Sequence, residues 1–144
     1  MKKRLAIVGN GMAAGRLLDE LLRRNAAASF DITVFGEEPR GSYNRILLGR
    51  VLSGGSESEI TLKSPEWYAE RGVAFRRGVR VTQVDAVARK LATSDGDAHP
   101  YDVCVFATGS SPLVPAIEGL KSDDGAPRDG VHVFRTIDDC VAIR

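Results

Sequence analysis

"LAIVGNGMAAGRLLDELL", residues 5–22, decides how the rest of the chain is read. Four apolar residues run into Gly9, a glycine-rich turn follows, and leucines return at positions 17, 18, 21 and 22. A short apolar run stopped by glycine reads as a buried strand. Leucines at i, i+1, i+4 and i+5 make one apolar helix face. The joint between them is Gly9-Asn10-Gly11-Met12-Ala13-Ala14, a G-x-G-x-x-A pattern. In such a turn Gly9 permits the tight bend, Gly11 lets the backbone approach a pyrophosphate, and Ala14 keeps helix and strand close. A helix opening at Met12 and Ala13 presents unbonded N–H groups and a partial positive charge to that anion.

Outward from this turn, "DITVF" (residues 31–35) reads as a second strand. Strand, turn, helix and strand with short joints predict a parallel pair with a right-handed crossover. Just past the second strand stands Glu37, slightly farther from Gly11 than the usual spacing of about 20. A carboxylate there would accept hydrogen bonds from ribose hydroxyls, and the adjacent Glu38 competes for the role.

Residues 36–58, "GEEPRGSYNRILLGRVLSGGSES", read as a long functional loop with a short helix near 44–52. "SPEWYAERG" (64–72) reads as a helix with Ser64 as N-cap, Pro65 at its first position and Gly72 as its stop. Trp67 and Tyr68 are expected to be packing residues, and "VAFRR" (73–77) a third strand. "VRVTQVD", "KLATS" and "HPYD" predict an antiparallel meander with a turn at Asp95-Gly96. "VCVFATG" (103–109) reads as a buried strand, "SSPLVPAIEGL" (110–120) as a proline-stiffened exit, and "KSDDGAPRDG" (121–130) as a polar loop. "VHVF" (131–134) reads as a short strand and "RTIDDCVAIR" (135–144) as the start of a helix. The expected class is α/β: a Rossmann-like parallel sheet with a glycine-turn dinucleotide site and a small inserted antiparallel meander.

Composition narrows the function. The chain has 144 residues, 43% hydrophobic and 27% charged, which suits one globular domain. With 20 Lys plus Arg against 19 Asp plus Glu, the charge balance gives no case for nucleic acid or a membrane surface. No apolar run approaches the roughly 20 residues of a spanning helix. "LAIV" after "MKKR" is too short for a secretory leader, so the expected location is the cytoplasm. Cys104 and Cys140 form no close pair, and Cys104 reads as a small buried hydrophobe. His99 and His132 are distant, so no metal site is expected.

"GNGMAAG", "ITVFGEEP", "YNRILLGRVL", "YDVCVFATGSSPLVPAIEG" and "GVHVFRTIDD" together resemble the FAD-binding half of the pyridine-nucleotide-dependent flavoprotein reductases. The branch they resemble most is the N-terminal part of the large subunit of NAD(P)H-dependent assimilatory nitrite reductase. The resemblance covers essentially the whole chain. It implies that Gly9, Gly11, Met12, Ala13 and Ala14 hold the FAD pyrophosphate and Glu37 the ribose. It further implies diphosphate contact for Arg45, a flavin-side position for Arg50, adenine contact for the Val81 backbone, and close approach of Ala107, Thr108 and Gly109. Arg50 departs from a lysine of related ferredoxin reductases, which puts its role in doubt. Arg45 and Arg50 could equally be solvated surface arginines, while for Val81 a place in the core is compatible with adenine contact.

The resemblance also says what to expect of the chemistry. Related disulfide reductases carry a redox cysteine pair after the second strand, and residues 36–58 contain no cysteine. Flavin-only chemistry is therefore expected: NAD(P)H reduces FAD, which passes electrons to a metal centre or carrier protein. Hydride transfer to a flavin needs no protein acid or base, so no catalytic side chain is assigned. A second glycine turn, a Gly-Asp segment and ligands for sirohaem and an iron–sulfur cluster would lie in further domains. The chain is thus expected to be most of one FAD domain, with 1–120 its first segment and 121–144 a linker and the start of a nicotinamide-binding domain. Such a piece should not turn over alone. The alternatives are a rubredoxin or ferredoxin reductase of the same superfamily, or a stand-alone adenine-nucleotide-binding module. NADH versus NADPH, and self-association, stay open.

Overall fold

The computed structural model describes residues 1–122 and 124–144, so Asp123 of the expected polar loop lies outside the described residues. Along the chain come β1 (Lys3–Val8), α1 (Met12–Arg23), β2 (Phe30–Gly36), β3 (Ser42–Tyr43), α2 (Leu48–Leu52) and β4 (Thr61–Lys63). Then follow α3 (Pro65–Glu70), β5 (Ala74–Arg77), β6 (Val81–Asp85), β7 (Lys90–Thr93), β8 (Ala98–Pro100), β9 (Val103–Phe106) and α4 (Ile137–Ile143). They form two compact units: residues 1–43 with 61–109, and residues 44–60 with 110–144.

The first unit is built on a parallel sheet of order β5-β2-β1-β9. Leu5 of β1 lies between Ile32 of β2 and Val103 of β9, which explains why the LAIV run is apolar on both faces. Alternation then sorts the side chains. Leu5 and Ile7 join Ala14, Leu18, Ile32, Val34, Tyr68 and Val73 in one core cluster. Ala6 and Val8 join Phe35, Leu91 and Tyr101 in another, against which Val79, Val81 and Val84 pack. The meander β6-β7-β8 is antiparallel as expected, and Gly96 makes its turn at φ +88°.

Four expectations are corrected. β9 is not a buried strand: it lies at the sheet edge, with Val103 and Phe106 exposed. Its thiol at Cys104 is half-buried rather than buried, and burial still pushes its pKa up. The loop at 36–58 contains a short strand, because β3 pairs antiparallel with β4. Gly41 makes that approach, since a Cβ there would stand 1.9 Å from the Lys63 carbonyl oxygen. Residues 131–134 form no strand, and His132, Val133 and Phe134 are exposed. Alternation alone does not make a strand; a partner must supply the ladder, and none does so among the described residues.

The β1–β9 edge is fastened by a side chain as well as by the ladder. Arg4 donates from Nε and Nη2 to Asp102 at 3.0 and 2.9 Å, and the Arg4 amide adds a bond of 2.7 Å. These bonds to Arg4 hold the Asp102 carboxyl far below the usual carboxylate range. A depressed folded-state pKa gives stability that is present above the unfolded value and lost as pH falls through the folded one. Asp102→Asn is therefore expected to lower Tm modestly at neutral pH, the pair being partly exposed. It should also flatten the decline of Tm below about pH 4. Parallel melts from neutral to acid pH test this, and identical acid limbs for variant and parent would refute it.

The second unit is held by helix ends. Asn44 accepts from the Ile46 amide at 3.0 Å and opens a short turn ahead of α2, the helix expected near 44–52. At α4, Thr136 Oγ1 accepts from the Asp139 amide at 3.1 Å. The Asp139 carboxylate accepts from the Thr136 and Arg135 amides at 2.7 and 2.9 Å. This reciprocal cap starts α4 within "RTIDD". Leu48 and Val51 of α2 and Ile137 and Cys140 of α4 are buried, and the Cys140 thiol donates to the Leu48 carbonyl. Among the described residues, no helix is long and apolar enough to cross a membrane.

Candidate dinucleotide site

The sheet delivers two chain segments to the same place at the C-terminal ends of β1 and β9. After β1, the Gly9 amide donates to the Phe35 carbonyl at 2.9 Å, and after β9 the Ala107 amide donates to Val8 at 2.7 Å. Gly9 has φ +104°, a conformation that favours glycine. A Cβ on Gly9 would stand 2.2 Å from the Ala107 carbonyl oxygen and 2.9 Å from Thr108 Cα. The glycine turn and the Ala107-Thr108 backbone are thus packed directly on each other. Gly109 follows, exposed and at φ +73°.

Gly11 is a different kind of glycine. It caps α1 at φ −81°, which any residue adopts, and no side-chain hydrogen bond closes the cap. Apart from its chain neighbours and its own helix, no described atom lies within 4 Å of where its Cβ would be. The first intrahelical bond is Gly15 N–H to the Gly11 carbonyl, at 3.0 Å. The amides of Met12, Ala13 and Ala14 therefore precede the first bonded donor. Met12 and Ala13 are exposed, while Ala14 is fully buried against the sheet, as close helix–strand packing requires. This end of α1 offers amides and a positive dipole end beside empty space, which suits an anion.

The neighbouring acids separate cleanly. Glu38 is taken up by structure: the Tyr43 hydroxyl donates to it at 2.7 Å. Glu37, first residue past β2, is exposed, and among the described residues its carboxylate pairs with the exposed Arg80 guanidinium, at 3.3 Å. Arg80 is next to Val81, so Glu37 and the first residue of β6 are brought together. Val81 itself is half-buried against the second core cluster.

Arg45 and Arg50 belong to the second unit. Arg45 is half-buried and donates to the Arg135 carbonyl at 2.8 Å, just before the cap of α4. Arg50, in α2, is exposed, and among the described residues its guanidinium has no ion-pair partner. Its carbonyl accepts from the Gly55 amide at 2.9 Å.

Sequence reasoning missed one residue of the turn's support. Tyr68 is fully buried and stacks on Phe75 at 4.4 Å, as a packing residue would. Its hydroxyl also donates to Asn10 Oδ1 in the turn. Burial pushes the phenol pKa up, so it remains a donor at neutral pH. An aromatic residue in a short amphipathic helix carries no signal of such a partner. Asp95, Asp97 and His99 also cluster in the meander. Thr93 donates to Asp95 at 2.6 Å and Arg76 pairs with Asp97 at 3.0 Å, so the two carboxylates are engaged in the turn.

A four-stranded parallel sheet with a glycine turn, an uncapped helix start and an acid past the second strand defines a dinucleotide-binding α/β domain. The chain belongs to the pyridine nucleotide-disulphide oxidoreductase family, whose profile matches residues 3–144. It is 42% identical over 143 residues to the assimilatory nitrate reductase electron transfer subunit of Bacillus subtilis strain 168. It is 38% identical over 142 residues to the nitrite reductase (NADH) large subunit of Escherichia coli K12. Each alignment takes in 99% of this chain but only 18% and 16% of the relatives' lengths. In fold it resembles the NADH:rubredoxin oxidoreductase of Clostridium acetobutylicum, with TM-score 0.81 at 19% identity, over 98% of this chain and 34% of that one.

Proposed function

We propose that this chain is the FAD-binding portion of an NAD(P)H-dependent oxidoreductase of the nitrite reductase kind. In the whole protein, electrons pass from NAD(P)H through FAD to a metal centre, sirohaem and an iron–sulfur cluster in other domains, or to a ferredoxin-type carrier. The observation that carries the reading is the open cradle at Gly11, set at the start of α1 by the interlock of Gly9 with Ala107. A diphosphate fits the donors present: amides at a helix start, with no described atom beyond the chain neighbours within 4 Å of the Gly11 Cβ position.

Bound FAD supplies the electron-accepting ring, and the chain's own residues position it. Gly11, Met12, Ala13 and Ala14 bind the diphosphate through backbone, and Ala107, Thr108 and Gly109 border the turn that binds it. Glu37 accepts from the ribose hydroxyls, and the backbone at Val81 meets the adenine. Arg45 and Arg50 remain candidates for the diphosphate and flavin side. No side chain is asked to move a proton. Residues 1–120 as the first FAD segment, 121–144 as linker and start of a nicotinamide-binding domain, and a cytoplasmic setting with NAD(P)H belong to the same reading.

A titration of the purified chain with FAD, followed by flavin fluorescence and compared with ADP and NAD, tests it. Saturable binding of FAD and ADP is expected, and binding of none of the three would overturn the proposal. The same assay separates the two acids. Glu37→Ala is expected to weaken ADP about tenfold, the worth of a charge-assisted hydrogen bond, with little change in Tm. Glu38→Ala should do the reverse, lowering Tm by stranding the Tyr43 hydroxyl while leaving ADP affinity intact. The opposite pattern would give the ribose to Glu38.

A further inference from the structure

We propose that Tyr68 is a positioning residue for the glycine turn: its buried hydroxyl, through Asn10, fixes the backbone that grips the diphosphate. The inference rests on the dinucleotide reading above. Asn10 stands between the two glycines, and Tyr68 reaches it from 58 residues away in sequence. The turn has few anchors of its own. Gly9 N–H bonds to Phe35 and Gly15 N–H to Gly11. Among the described residues, the Asn10 and Gly11 amides make no hydrogen bond in between. The Asn10 side chain is therefore the fixed point of this stretch.

That side chain is also confined. Asn10 Cβ lies 3.1 Å from where Gly36 would carry a Cβ, and a Phe75 ring carbon lies 3.0 Å from the same point. Gly36 ends β2, so the lack of a side chain there makes room for Asn10. Tyr68 is itself packed on all sides. It sits in α3, which Pro65 starts, stacked on Phe75 with its ring fully buried. A rigid phenol thus holds a polar side chain that the turn cannot otherwise place. Removing the hydroxyl leaves Asn10 Oδ1 without its donor and lets the Asn10-Gly11 peptide reorient. Backbone donors work on a diphosphate only when preorganised, so the loss should show in affinity.

The test measures ADP affinity and Tm for the parent, Tyr68→Phe, Asn10→Ala, the double variant and Val73→Ala. Val73 is buried in the same cluster; its amide donates to the Tyr68 carbonyl at 3.0 Å, a backbone bond that alanine keeps, and its side chain has no polar atom to offer the Tyr68 hydroxyl or Asn10, so it reports a purely structural loss. Tyr68→Phe and Asn10→Ala are each expected to weaken ADP about three- to tenfold. The double variant should be no weaker than either single one, because both remove the same bond. Val73→Ala should lower Tm and leave ADP affinity unchanged. Parent-like affinity in Tyr68→Phe, or losses that multiply in the double variant, would overturn the positioning role while leaving the dinucleotide reading intact. A parent that binds no ADP would overturn both. Should Tyr68→Phe fail to fold, parent-like affinity in Asn10→Ala alone refutes the role.

Discussion

Gly9→Ala is expected to unfold the first unit or leave it barely stable. Two costs coincide at this position. A φ of +104° is a conformation that L side chains rarely adopt, which costs roughly 1–3 kcal/mol. The new Cβ would also stand 2.2 Å from the Ala107 carbonyl oxygen and 2.6 Å from its carbon. Both are backbone atoms, and Ala107 is tied to Val8 by a hydrogen bond of 2.7 Å. They can move only by pulling the end of β9 off β1. Overpacking of that kind adds roughly another 1–3 kcal/mol or more. Against a typical stability of about 5–15 kcal/mol, the sum removes much of the margin. Far-UV circular dichroism and thermal melts read the outcome. A variant that melts within a few degrees of the parent would refute the interlock of Gly9 with Ala107.

Gly11→Val is expected to do the opposite: keep the fold and lose the ligand. Gly11 has φ −81°, and the place where its side chain would grow is open. The backbone is therefore unstrained, and Tm should fall only by what the N-cap preference for glycine over valine is worth, about 1 kcal/mol. A branched side chain there occupies the space a diphosphate must enter to reach the helix amides. Several hydrogen bonds to a charged group are lost together. A fall in FAD and ADP affinity of a hundredfold or more, about 3 kcal/mol, is expected. Retained ADP affinity in a folded Gly11→Val chain would place the diphosphate elsewhere. The two neighbouring substitutions thus divide the motif into one glycine that builds the sheet end and one that admits the ligand.

Much of this was legible in the sequence because it is local. Apolar runs, the leucine face and the G-x-G-x-x-A spacing specify β1, the turn and α1 within one stretch. The Asp95-Gly96 turn announces the meander in the same way. What failed needs a partner distant in sequence. "VHVF" alternates like a strand but finds no ladder. β3 and β4 are too short to show a pattern and exist because Gly41 lets two backbones meet. β9 reads as buried because it is apolar, yet a strand with one neighbour keeps an open side.

The site divides along the same line. The sequence by itself determined the strand–turn–helix unit, the glycine positions, the absence of a cysteine pair and the presence of two acids past β2. All of these follow from residue type and short spacing. Only the tertiary structure decided which acid remains available, since Glu38 is claimed by Tyr43 while Glu37 faces solvent. It alone brought the Tyr68 hydroxyl onto Asn10, across 58 residues, and it fixed the expected approach of residues 107–109 as a contact of the Ala107 backbone with Gly9. Steric exclusion between backbones, and the satisfaction of a buried polar group, depend on which atoms the sheet brings together. Neither leaves a trace in the periodicity of the segments involved.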